Sequence, residues 1–383
     1  MVELSPQLLD GVREQLARDA APLTPALVAE VLRGQGVPVG DATVLAVHDA
    51  LHVDIVGAGP LEPLLRMPGV TDVLVNGAGQ VWVERGAGLE LTSVRFPDEA
   101  AVRRLATRLA SNGGRRLDDA SPFVDLRMAD GTRFHAILAP LSRPGTLISL
   151  RVPSSRVFTL TELVEMGAVH SEAVELLRAI VASRCAFMIS GGTGTGKTTM
   201  LNALLSLVDP ADRLVIVEDA SELRPEHPHI VALEARPPNI EGAGAIPMRT
   251  LVKQALRMRP DRLVVGEVRG DEVVDMLAAM NTGHEGGCGT VHANSATEVP
   301  ARLEGLALAA GLNRQAAHSQ MAAAIDVVIH LGRTRSGKRL IREIGVLVRR
   351  EDAVAVVEQA VTFVDGQISL GPGIDLLREL VDR

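Results

Sequence analysis

The chain has 383 residues, 46% of them hydrophobic, and a formal charge of −8 at pH 7. That length exceeds one ordinary core and predicts roughly two or three globular domains, while the acidic balance argues against a protein that coats nucleic acid. Cys185 and Cys288 are the only cysteines and form no CxxC pair, which excludes a disulfide framework and a structural zinc module.

Residues 1–54 read as a short helical segment. Leu8, Leu9, Val12 and Leu16, then Leu27, Val28, Val31 and Leu32, recur at helical spacing, with breaks at Pro22, Pro25 and the stretch 34–41. Residues 55–151 read as a small α+β domain. It holds a hairpin over 71–86, an amphipathic helix over 98–114, a second hairpin over 124–138 turning at Asp130-Gly131, and a strand over 146–152. Residues 152–163 lack a period and read as a linker. From residue 164 to 383, strands and helices alternate. Strands are expected at 185–192, 213–220, 261–268 and 289–293, with helices between them and mostly strands over 326–370. This is the pattern of a mainly parallel α/β sheet covered on both faces. The N-terminus lacks the apolar core of a signal peptide, and no uncharged apolar run reaches the roughly 18–20 residues of a membrane span. A cytoplasmic protein is expected, meeting a membrane only through partners.

The strand over 185–192 runs into Gly191-Gly192-Thr193-Gly194-Thr195-Gly196-Lys197-Thr198, with Thr199 next in the following helix, a match to GxxxxGK[ST]. Glycines let the backbone curl with its N–H groups turned toward a phosphate, and the helix start adds a favourable dipole. Lys197 is placed to reach the β- and γ-phosphates of a nucleotide, and Thr198 to offer its hydroxyl to Mg²⁺. Lysine otherwise occurs only at Lys253 and Lys338, against abundant arginine, so a lysine here is informative.

Further acids and histidines sit at strand ends. The apolar strand over 261–268 carries Glu267 near its end, where a carboxylate faces the ligand edge of such a sheet and can hold water directly or through Mg²⁺. Glu218, Asp219 and Glu222 follow another strand; they read either as ligands for metal-bound water, as an anchor for a switch loop, or as an acidic helix cap. His284 and His292 flank a Gly-rich segment and could sense the γ-phosphate or bond an acid across the site. No further Cys or acid pair at ligand spacing completes a zinc site with them.

In this order the motifs resemble the type II/type IV secretion ATPase superfamily. The segments at 258–270, 279–295, 235–242 and 59–77 look like its CpaF/TadA branch, which powers tight-adherence pili. The resemblance covers roughly residues 55–350. It implies a RecA-like P-loop domain at 164–383 and a homo-hexameric ring, with ATP bound between the two domains and partners in the inner-membrane platform of a pilus or secretion system. Glu218, Asp219 and Glu222 fall in the family's Asp box, Glu267 in its Walker B position, and His284 and His292 in its His box. The arginines that approach the phosphates are matched by Arg133 and Arg151, and by Arg269 beside Glu267. Cys288 sits near the site as a packed thiol. A nucleic-acid translocase is disfavoured, since one tryptophan and no tyrosine leave little for base stacking; a regulatory nucleotide-binding module is the remaining alternative.

Overall fold

The computed structural model describes residues 24–34, 40–55, 57–86, 88–153, 156–239, 242–283, 285–334, 337–364 and 366–382. The chain divides into two compact units, Met1–Pro153 and Ser154–Arg383. The helical spacing around Leu8–Leu16 lies outside the described residues.

In the first unit, helices Pro25–Gly34 and Asp41–Ile55 pack on each other and bury Val28, Val31 and Leu32 on one, and Val44, Val47 and Leu51 on the other. Six strands follow: β1 (Asp72–Asn76), β2 (Gln80–Glu84), β3 (Leu89–Leu91), β4 (Phe123–Arg127), β5 (Arg133–Ile137) and β6 (Leu147–Arg151). They form an antiparallel sheet in the order β3-β2-β1-β6-β5-β4. Alternation turns Val73, Val75, Val81 and Val83 into one core with Val102, Leu105, Ala106 and Leu109 of helix Glu99–Asn112. That helix begins where Asp98 accepts the Ala101 N–H at 2.7 Å. The expected turn at Asp130-Gly131 joins β4 to β5, with Asp130 accepting the N–H and hydroxyl of Thr132. β3 carries no expectation in the sequence: it is three residues long and exposed throughout, so no burial pattern marks it.

A helix over Leu160–Glu165 begins inside the segment read as a linker. Thr159 and Glu162 cap it reciprocally: the Thr159 hydroxyl accepts the Glu162 N–H at 3.2 Å, and the Glu162 carboxylate accepts the Thr159 N–H at 2.9 Å. Fewer than two turns are too short to display a period.

The second unit is built on β7 (Phe187–Gly191), β8 (Leu214–Glu218), β9 (Ile230–Glu234), β10 (Arg262–Val268), β11 (Cys288–Val291), β12 (Val327–Arg333), β13 (Arg339–Arg349), β14 (Ala355–Val364) and β15 (Gln367–Leu370). Their order is β15-β14-β13-β12-β7-β11-β10-β8-β9. From β12 to β9 every pairing is parallel; β13, β14 and β15 extend the sheet antiparallel. Successive residues of the central strands feed opposite cores. Phe187, Ile189 and Ile216 meet Leu177, Ile180, Leu201 and Leu204 on one face. Met188, Val215 and Val217 meet Val252, Met276, Leu303 and Met321 on the other. Burial on both sides is why these strands read as unbroken apolar runs. The expected mainly parallel α/β sheet after a small α+β domain is therefore present. β9 escapes the sequence reading because it is a half-exposed edge with no clean alternation.

Candidate functional site

The sheet order fixes the site. β11 lies between β7 and β10, so the carboxyl ends of those two strands stand about 10 Å apart with the end of β11 between them. At those ends stand the phosphate loop after β7, Glu267 near the end of β10 and His292 after β11.

β7 turns sharply at Gly191, where a Cβ would lie 2.6 Å from the Leu331 carbonyl oxygen. Gly196 takes φ +96° and starts helix Lys197–Leu205, whose first N–H groups open toward the loop. Thr195 is buried and its hydroxyl donates to the Gly192 carbonyl at 2.9 Å. Gly192, Thr193 and Gly194 are exposed along the loop; Thr198 and Thr199 are half-buried in the first helical turn. Lys197 is buried, and its Nζ donates to the Gly191 and Gly192 carbonyls at 3.0 and 3.2 Å. Burial lowers its pKa, Glu267 opposes that shift and Arg269 adds to it.

β10 breaks register with β11 between Val265 and Val268, a bulge that releases Glu267 from the ladder. Thr290 on β11 pins the bulge by donating its hydroxyl to the Gly266 carbonyl at 2.6 Å. Glu267 Oε2 then meets the Arg269 guanidinium, which raises the arginine's pKa. Glu267 Oε1 lies 2.5 Å from His292 Nε2, and the same nitrogen lies 3.3 Å from Lys197 Nζ. Ammonium and carboxylate thus face each other across one imidazole nitrogen. Burial, and then Lys197, lower the pKa of His292. That shift favours the neutral ring, whose Nε2 can accept from Lys197 or, as the other tautomer, donate to Glu267.

The acidic group after β8 separates into two kinds. Glu218 is buried and accepts the backbone N–H groups of Glu222 and Leu223, each at 3.1 Å. Burial pushes its pKa up to about 7. It packs against Gly266, where a Cβ would lie 2.5 Å from its Cγ, so it anchors the loop over 219–223 beside the bulge. Asp219 and Glu222 are exposed and near enough to Arg269 to raise its pKa. His284 lies outside the described residues. Arg133 and Arg151 are register partners on β5 and β6 of the first unit, and they pair with Asp125 at 3.7 Å and Asp72 at 3.0 Å. Cys288 is fully buried beneath the site, its thiol pushed up to about 12, so it stays protonated and packs.

Three residues escape the sequence reading. Thr290 is one of many threonines. His330 sits in an apolar strand with its Nδ1 2.9 Å from the Ser190 hydroxyl, and burial lowers its pKa. Arg333, whose guanidinium reaches the loop at Gly194, is camouflaged by the abundance of arginine. A lone histidine within an apolar run was the one visible signal.

Comparison with known proteins gives a consistent picture. The family described as "Type II/IV secretion system protein" matches residues 54–362. A Mycobacterium tuberculosis (strain H37Rv) protein that carries a provisional conjugal-transfer name is 53% identical over 324 residues, covering 83% of this chain and 92% of that protein. The conjugal transfer protein TrbB of Rhizobium radiobacter is 32% identical over 282 residues, 72% of this chain and 83% of its own length. The X-ray structure of the Yersinia pseudotuberculosis ATPase DotB superposes with a TM-score of 0.54 at 17% identity, covering 80% of this chain and 81% of that one, a likeness of fold.

Proposed function

Since this chain belongs to the Type II/IV secretion system protein family, we propose that it is an ATP-hydrolysing motor that drives pilus assembly or the export of protein or DNA. One observation carries the reading: Lys197, His292 and Glu267 meet at a single imidazole nitrogen, at the end of three adjacent strands. A phosphate grip, a polar sensor and a water-ordering acid are what hydrolysis of a phosphoanhydride needs in one place.

The residues fit nucleotide and Mg²⁺. The loop over 191–196 is closed to side chains at Gly191 and opens onto a helix start, a cradle for a phosphate. Thr198 in the first turn would hold Mg²⁺, with Glu267 reaching it through water. The ion, when bound, neutralises charge on the phosphates. Lys197 trades its two loop carbonyls for the β- and γ-phosphate oxygens. Glu267, held by Arg269 on one oxygen, orients a water for in-line attack on the γ-phosphorus. His292 keeps ammonium and carboxylate apart and contacts the γ-phosphate. Arg269 would supply positive charge beside the phosphoryl group passing from ADP to water, and Glu218 fixes the loop that carries Asp219 and Glu222.

In our reading Arg133 and Arg151 complete the site in an assembled homo-hexamer, His284 joins His292 as a second sensor, and the ring docks on inner-membrane platform proteins. No helix among the described residues is long and apolar enough to cross a membrane. The segments at 235–242 and 279–295 favour the tight-adherence branch, while conjugal-transfer names among the relatives keep DNA export open as the cargo.

The test is turnover. Purified protein is expected to release phosphate from ATP with Mg²⁺ and to stop with EDTA. Lys197→Ala and Glu267→Gln are each expected to lower kcat by about a hundredfold or more. Undiminished turnover in folded Lys197→Ala would end this reading.

A further inference from the structure

The phosphate loop is held from outside by one strand. β12 runs parallel to β7 and pairs with it from Val327 to Leu331. The last paired residues lie along the start of the loop. His330 meets the Ser190 hydroxyl at 2.9 Å, and the Leu331 carbonyl sits where a Cβ on Gly191 would go. Arg333, the last residue of β12, lays its guanidinium on the loop's far side. Its Nε and Nη2 both donate to the Gly194 carbonyl, at 3.0 and 2.6 Å. Arg342 on β13 in turn donates to the Arg333 carbonyl at 3.1 Å, which steadies the strand end that carries the guanidinium.

We propose that Arg333 is a positioning residue for nucleotide: it clamps the Gly194 carbonyl outward and so presets the phosphate loop in its binding form. The inference rests on the reading of this loop as an ATP site and adds a residue to it. The physical argument concerns one peptide unit. The carbonyl of Gly194 and the N–H of Thr195 belong to the same amide. A cation with two N–H donors on the oxygen draws charge through that amide and strengthens its N–H as a donor. The Thr195 N–H has only a long 3.4 Å contact to the Gly192 carbonyl, so it is available to an anion in the loop. The fork also fixes the amide plane at an exposed run of the loop, Gly192 to Gly194, where glycine would otherwise leave it free to rotate. Fixing that plane before nucleotide arrives removes an ordering cost from binding. Neither effect requires Arg333 to touch the substrate.

Lysine and glutamine at this position separate the clamp from mere bulk. Arg333→Gln loses the charge and the fork; Arg333→Lys keeps the charge and loses the second donor. We expect Arg333→Gln to weaken binding of a fluorescent ADP and to raise KM for ATP about tenfold. kcat should change less than threefold, the melting temperature should stay at the wild-type value, and Arg333→Lys should fall between. The KM-against-kcat split with unchanged melting is the signature, because loss of stability alone moves melting and leaves affinity in place. If the wild type binds and hydrolyses ATP while both variants bind ADP within twofold of it, the clamp is wrong and the site stands. If the wild type neither binds nor hydrolyses ATP, the underlying reading fails and the clamp goes with it. An equal fall in kcat with KM unchanged would also overturn the proposal, since it would place Arg333 on the transition state instead of the loop.

Discussion

At the scale of single residues, the site is governed by which groups are forced to share a partner. Lys197 and Glu267 share His292, Glu267 is shared between His292 and Arg269, and Glu218 is spent on two backbone N–H groups. Glu218 has a measurable consequence. Its folded pKa stands at about 7 against an ordinary 4.5, so between those values the folded chain keeps a proton that the unfolded chain has released. Stability from this group is present below the ordinary value and is lost as pH rises through about 7, by up to about 3 kcal/mol. Glu218→Gln removes that slope. Urea denaturation across the window should show the wild type losing ground to the variant as pH rises; parallel curves would contradict the assigned burial.

At the scale of elements, the bulge in β10 is the device that turns an ordinary strand into a reactive one. Thr290→Val is nearly isosteric and leaves the Gly266 carbonyl without its 2.6 Å donor. A loss of about 1–2 kcal/mol is expected in denaturant titrations, with a larger proportional loss of turnover because Glu267 is displaced. Much of this was legible beforehand. The loop over 191–198, the strand ending near Glu267 and the strand before His292 announce themselves because buried parallel strands are continuous apolar runs, so a charge at their end stands out. What stayed hidden has physical reasons. β3 is a short, fully exposed edge and β9 a half-exposed one; the capped turn at Leu160 is too brief for a period; and the register of β11 between β7 and β10 is a long-range fact that no local pattern encodes. His330 and Arg333 belong to β12, far from the loop in sequence, and only strand pairing brings them there.

At the scale of the molecule, each unit owns a closed core. The first is formed by the antiparallel sheet and helix Glu99–Asn112, the second by two layers on a nine-stranded sheet. All residues of the phosphate grip lie in the second. A fragment spanning residues 156–383 is therefore expected to fold alone and to bind ADP, measured by calorimetry. A fragment with native circular dichroism and no ADP binding would mean that the grip is incomplete without the first unit. Turnover in the fragment well below that of the full chain would support the roles proposed for Arg133 and Arg151, which it lacks.

β11 is four residues long, wholly buried, and hydrogen-bonded along both of its sides. Neither β7 nor β10 can slide without tearing its ladder to β11, so the three chemical groups ride on a single stiff plate. The ends of β7, β11 and β10 are thereby kept at a fixed spacing, so a change that parts β11 from either neighbour is expected to disturb the phosphate loop, Glu267 and His292 together.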